Sequence, residues 1–272
     1  MLKSQNSRGE AFCLQNASPL ASQFYLEVIS TMTIYKEYST KLKSMLGMKT
    51  SPVAISYTDI PADDAEKGKH WACYGLIAAS QGKTIDLTAA TCGCPGGTTH
   101  LGLGPGPTGK GWKQLREFLV HGEKLCATYG ALLRMQTNTT PPPEGLADHV
   151  IYSPLEKSKD DPELVLFIVN AKQACRLVTL LTFHDGKPLR PELGGSTCHQ
   201  IIGYPMVSGE PTLALGDWTN RHPNKFTEND IFVCVPWYRM HNMMAAIPFC
   251  TAGEAKLEAP PEFARILKEL EE

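Results

Sequence analysis

A chain of 272 residues with 42% apolar and 20% charged residues is long enough to bury a core without covalent staples, and a formal charge of −2 supplies no general attraction to nucleic acid or anionic lipid. Its longest apolar runs, such as Leu164–Val169, fall far short of the roughly 20 residues that cross a bilayer. Residues 11–30 interrupt their apolar positions with Gln15, Asn16, Ser18, Gln23 and Glu27, unlike a signal peptide, so a cytoplasmic location is expected, in which the nine cysteines stay reduced.

In chain order, residues 1–31 are polar and irregular and read as a loose extension, with Met32 as an alternative start. A single α/β domain is expected over 32–272, opening on a helical pattern of Tyr35, Tyr38, Leu42 and Leu46. Pro52–Tyr57 reads as a strand, Trp71–Gln81 as a helix, Thr84–Leu87 as a short strand and Gly93–Gly111 as a glycine-rich loop. A long amphipathic helix is expected over Trp112–Met135. Thr137–Pro143, with three consecutive prolines, breaks it and divides the domain into halves, 32–136 and 144–272.

Beyond the prolines the pattern predicts a strand at His149–Tyr152 and a second at Leu164–Val169, whose unbroken apolar run suits burial on both faces. Helices at Ala171–Thr182 and Thr197–Gly203, strands at Thr212–Leu215 and Ile231–Val235, a methionine-rich helix at Tyr238–Ala246 and a terminal helix at Glu262–Glu271 follow. This alternation predicts an α/β fold: a mixed or parallel sheet with flanking helices, its two similar-sized halves sharing one continuous core.

The segment with the most chemistry is Thr91-Cys-Gly-Cys-Pro-Gly-Gly97, where two thiols one residue apart sit in a turn that exposes sulfur and backbone N–H groups together. Soft thiolates select iron–sulfur clusters or zinc over hard cations. One such pair supplies two ligands; Cys73, at the start of the preceding helix, and Cys198, at the start of a helix in the other half, are the candidates for the rest. The spacing Cys73, Cys92, Cys94, Cys198 matches no standard ferredoxin or zinc-ribbon pattern. Cys126, Cys175 and Cys234 lie in apolar patterns and read as core, while Cys13 and Cys250 read as incidental.

Four further residues are candidate ligand contacts. His100 follows the cysteine loop closely enough to serve whatever binds there. Lys110 ends Gly104-Pro-Gly-Pro-Thr-Gly-Lys110, part of a phosphate-binding loop that fails at Gly111, where a Ser or Thr should stand. With the glycine amides it could still hold an anion. Asp217 and Arg221 belong to a segment at a strand end, where α/β proteins place ligands. Met240, Met243 and Met244, with Trp237 and Tyr238, form a soft helix face that suits core packing first and a homo-oligomer interface second.

Taken in order, Pro52-Val-Ala-Ile55, Cys73 before Ala78-Ala-Ser-Gln-Gly82, Cys92 with Leu101-Gly102, Leu164–Val169 before Gln173, Cys198, Leu215-Gly216-Asp217, and Glu228 leading to Ile231–Pro236 resemble the uncharacterised ArCR family, domain of unknown function number 169, found in archaea and anaerobic bacteria. The resemblance covers roughly residues 35 to 250 and supports the cysteine positions; the family brings no established reaction. Several members carry a cysteine just before a Gly-Asp-Arg-like turn, where this chain has Ala214 and Leu215, with the arginine later at Arg221.

The leading expectation is an iron–sulfur protein, [4Fe–4S] with zinc as the alternative metal, bound by Cys73, Cys92, Cys94 and Cys198 and serving redox or Lewis-acid chemistry in anaerobic metabolism, with a small molecule or redox protein as partner. The second is a non-catalytic module that holds a small anion with the glycine-rich loop and the Asp217–Arg221 segment. Thiol chemistry without metal is the third. Neither nucleic acid nor membrane is expected as a partner.

Overall fold

Val, Ile, Leu and Phe recur in the stretches that form a single six-stranded sheet, β1 (Val53–Thr58), β2 (Ile85–Leu87), β3 (His149–Pro154), β4 (Leu164–Val169), β5 (Thr212–Ala214) and β6 (Ile231–Pro236), in the order β2-β3-β1-β4-β6-β5. The computed structural model describes residues 34–221, 226–258, 260, 263, 265, 266, 268 and 269. The extension 1–31, Met32 and Cys13 lie outside the described residues, as do several positions of the expected terminal helix. The helices are α1 (34–46), α2 (Ala72–Ser80), α3 (Pro95–His100), α4 (Gly109–Glu117), α5 (Tyr129–Thr137), α6 (Ala171–Thr182), α7 (Tyr204–Ser208), α8 (Trp218–Arg221) and α9 (Trp237–Ala246).

The fold is α/β with helices against the sheet, and its ladders are all antiparallel; parallel pairing is confined to the isolated bridges Ala65–Thr84 and His70–Cys92. An unbroken apolar strand signals burial on both faces, which parallel sheets require, but helices covering both faces of an antiparallel sheet produce the same signal. β3, from beyond the prolines, lies between β2 and β1, so strands from either side of that run interleave. The prolines are themselves packed: Gly102, at φ +69°, brings the backbone so close to the Pro143 carbonyl that a Cβ there would stand 2.6 Å from its oxygen.

Side-chain alternation sorts the interior into two layers. Ala54, Val165, Phe167, Val169, Val233 and Val235 face α1, α6 and α9. Val53, Ile55, Tyr152, Leu164, Leu166, Phe232 and Cys234 face α2 and the helical run 197–208. On the first face α6 starts with a reciprocal cap between Asn170 and Gln173, and the Gln173 amide also donates to the Leu46 carbonyl, joining α6 to the end of α1. Met240 and Met243 are fully buried there, so the methionine face is core. Full burial of each such side chain contributes about 1.5–3 kcal/mol.

The helix expected over Trp112–Met135 is broken. α4 runs into a π turn at Phe118–Gly122, the chain then reverses through Lys124 in the left-handed region (φ 58°), and α5 begins at Tyr129. Phe118, Leu125, Tyr129 and Leu133 remain exposed, so the segment lacks the buried stripe that would hold one long helix together. No helix among the described residues is long and apolar enough to cross a membrane.

Candidate functional site

Three chain segments deliver sulfur to the second face of the sheet. Cys73 sits in the first turn of α2. After β2, Thr88 and Thr91 close a turn, and backbone hydrogen bonds from His70 to the Thr91 carbonyl (3.0 Å) and from Gly93 to the His70 carbonyl (2.7 Å) fasten the cysteine loop beside the start of that helix. Pro95 then begins α3 directly after Cys94, because a proline lacks only the N–H that a first helical position leaves unused. Cys198 arrives from the opposite side of the sequence, just before the π turn His199–Gly203. Pro205 has no N–H to continue the regular ladder there, which is a cause of such widened turns.

The four cysteines belong to one buried cluster, in which Cys92 Sγ donates to the Cys94 carbonyl at 3.6 Å and Cys73 Sγ donates to Asn220 Oδ1 at 2.8 Å. Donation from Cys198 and then Cys92, with the backbone N–H groups of Ala72 and Gly97, outweighs burial and holds the Cys94 thiol down at about 3. Hydrogen bonding to that sulfur, with burial, pushes Cys92 up; Cys198 is pushed up by Cys73, Cys94 and burial. Cys94 is thus the thiol shifted down, and Cys92 and Cys198 are shifted up. Gly97 makes this packing feasible: a Cβ there would stand 2.7 Å from both Cys94 Sγ and the Ala72 Cβ and 2.9 Å from Cys92 Sγ.

Tyr57 and Tyr152, in the same cluster as the sulfurs, and the paired rings of His100 and His199, next to Cys198, each carry a buried polar atom with no hydrogen bond, as do His70 and Gln200. His100 and His199 hold their rings 5.2 Å apart, and His199 Nε2 is fixed by Glu192 at 2.8 Å. Burial, then the neighbouring His199, lowers His100 to about 4 against the opposing pull of Cys94. Buried polar groups in folded proteins are almost always paired, by protein or by ordered water.

The family model of the uncharacterised ArCR proteins matches residues 41–246, which takes in all six strands and all four thiols. The chain belongs to the ArCR family. No curated protein and no solved structure matches it.

Of the other candidate contacts in this ArCR chain, the structure brings only His100 to the sulfurs. Lys110 is exposed in the first turn of α4, and the loop before it joins two helices with no strand leading in, unlike a nucleotide-binding loop. The Asp217 carboxylate accepts from Thr197 N (2.6 Å), Thr197 Oγ1 (2.8 Å) and Asn220 Nδ2 (3.0 Å), so it braces the residues that hold Cys73 and Cys198. The Arg221 guanidinium donates to the carbonyls of Leu215, Thr227 and Asp230, and is a backbone staple at the rim of a shallow cavity of about 430 Å³.

Cys234 is buried in the sheet as expected, whereas Cys126 is half-buried, Cys175 is exposed on the outer side of α6, and Cys250, read as incidental, is core. Sequence reasoning passed over Asn220, Gly97, Tyr57 and Tyr152. The third glycine of the cysteine loop was a signal for Gly97, since only a residue without a side chain allows such approach; the other three carry no local mark.

Among the described residues no three of His, Cys, Asp and Glu are already spread around a common centre that could hold a metal ion. Cys92 and Cys73 instead donate to a backbone carbonyl and to Asn220. The donor set itself is that of soft-metal chemistry: four thiols, one poised as thiolate and two others buried, with unpaired polar atoms about them.

Proposed function

We propose that this protein binds an iron–sulfur cluster, [4Fe–4S] by the number of thiols, through Cys73, Cys92, Cys94 and Cys198, and works in the cytoplasm in anaerobic metabolism with a small molecule or a redox protein as its partner. The observation that carries the reading is the convergence of four cysteines from three distant segments in one cluster, which also holds the unpaired hydroxyls of Tyr57 and Tyr152. Ordinary packing uses cysteine singly, as at Cys234 and Cys250, and has no need to gather four from distant segments into one cluster.

The chain's residues have distinct parts in this reading. Cys94 presents the first thiolate, supported by the amides of Ala72 and Gly97. Cys92, Cys198 and Cys73 give up their protons on loading, which ties uptake to pH and to the reduced state. Asp217, Thr197 and Asn220 hold the Cys73 and Cys198 segments together across the two halves of the sequence. A bound cluster supplies electron transfer, or a Lewis-acidic iron where one thiol is withheld. Zinc is the alternative metal, which four thiolates would hold as a closed structural site.

Anaerobic purification of the full chain, with an absorption spectrum and iron, zinc and sulfide analysis, tests this. Stoichiometric iron and sulfide are expected, falling at least severalfold in Cys92→Ser and Cys198→Ser. Zinc without sulfide would replace the cluster by the structural reading, and a colourless protein without metal even after reconstitution would leave one reactive thiolate at Cys94 and overturn both.

A further inference from the structure

The antiparallel register of β1 and β3 pairs Ile55 with Tyr152 and Tyr57 with Val150, which sets the Tyr57 and Tyr152 rings diagonally adjacent on the sulfur-bearing face of the sheet. Tyr152 lies beneath α2: a Cβ at Gly75, two residues beyond Cys73, would stand 3.3 Å from its ring. Both phenols end in buried hydroxyls without a hydrogen bond. Such a group loses its water and gains nothing in return, and a phenylalanine of the same shape would avoid the loss. Burial first, and then the neighbouring Cys198, Tyr57, Cys92 and Cys94, pushes the Tyr152 phenol up; Tyr57 is pushed up by burial, then by Glu163, Cys234 and Cys198. Two obligate donors thus sit without acceptors beside a sulfur site.

We infer that the Tyr57 and Tyr152 hydroxyls are hydrogen-bond donors to the sulfur of the group bound by the four cysteines, and that they act as positioning residues that set its reduction potential. The inference rests on the cluster reading above and deepens it. Hydrogen bonds to cluster sulfur stabilise the more negative, reduced state and raise the potential. An anionic group rich in sulfide also offers the acceptors that these donors lack.

Tyr57→Phe and Tyr152→Phe, each removing a single oxygen, are compared with the unaltered full chain after anaerobic loading. The readouts are iron and sulfide content, midpoint potential and the thermal midpoint of the metal-free protein. Each variant is expected to retain iron and sulfide and to shift to a more negative potential, by about tenfold in the reduction equilibrium, or about 59 mV for one electron. Its metal-free form is expected to be at least as stable as the unaltered one. Loss of loading with metal-free stability intact also supports the assignment, because the hydroxyl then helps to retain the group. Unchanged potentials at full loading would overturn the inference and leave the cluster standing. A loss of metal-free stability would show that the hydroxyl already has a protein partner, and would overturn it too. Absence of iron and sulfide from the unaltered chain would remove the cluster reading itself.

Discussion

The two faces of the sheet are built from alternate residues of the same strands, yet they end in different chemistry. Phe167, Val233 and Val235 look toward α1, α6 and α9 into a layer of Leu, Met and Tyr, where the Tyr35 hydroxyl donates to Asp161 and Trp237 Nε1 is unpaired. Leu166, Phe232 and Cys234 look the other way, toward Cys73, Cys198 and the cysteine loop, where thiols and unpaired donors gather. The first face leaves few such atoms, Trp237 Nε1 and Arg239 Nε on α9 among them. The second leaves more of them, at a depth where each missing partner costs about 1–3 kcal/mol.

The contrast is broken most severely by Phe167→Ala. The ring is fully buried in the first layer, so its loss should destabilise the protein by about 3–5 kcal/mol in urea unfolding. Metal content per folded molecule should not change, because the sheet separates this cavity from the sulfurs. A fall in iron per folded molecule would show that the two layers respond as one.

On the other face the sharper change is Gly97→Ala. Its new methyl group would intrude on Cys94 Sγ, Cys92 Sγ and Ala72 at distances that real Cβ atoms do not tolerate. Overpacking of this kind costs about 1–3 kcal/mol, less than the Phe167 cavity. Unlike that cavity, it should lower metal content and change the reactivity of Cys94 toward an alkylating reagent. Normal loading in a stably folded Gly97→Ala protein would mean that the loop yields freely and that the close approach has no functional weight.

How far each face could be foreseen follows from the same difference. Periodicity is a local signal, and it placed Leu164–Val169 at its observed bounds and the other core strands to within a residue or two, because burial on a sheet is written into neighbouring residues. The four cysteines were legible as a set through their type and through the loop that carries two of them. Their convergence was not, since Cys73 and Cys198 are brought together by Asp217, Thr197 and Asn220, side-chain contacts that leave no pattern along the chain. Asp217 and Arg221 show how charge at a strand end also serves structure: one carboxylate caps α8 by accepting from the Asn220 amide and one guanidinium satisfies carbonyls. The break between α4 and α5 was hidden because helical spacing persists through residues that the fold leaves exposed.

The smallest effect returns to the first face. Glu156 joins α1 to the end of β3, accepting from Ser51 Oγ (2.5 Å) and Ser39 Oγ (2.8 Å), with Lys43 Nζ at 3.7 Å. Burial alone would push its carboxyl up, but the Ser51 hydroxyl, a backbone amide, the Ser39 hydroxyl and the Lys43 ammonium together hold it below its ordinary value of 4.5. The folded state is then the stronger acid, so this contribution to stability is present in full above that ordinary value and is lost as pH falls through the lowered one. Solvent reaches the group and screens the pair, which keeps the effect modest. Glu156→Gln should be somewhat less stable than the unaltered chain near neutrality and should flatten the decline in unfolding free energy in the interval that begins as pH falls to the ordinary carboxyl value of 4.5. An unchanged slope in that interval would mean that the two serines and the lysine add nothing to the carboxylate beyond what water gives it, and that α1 is held to the sheet by its apolar stripe alone.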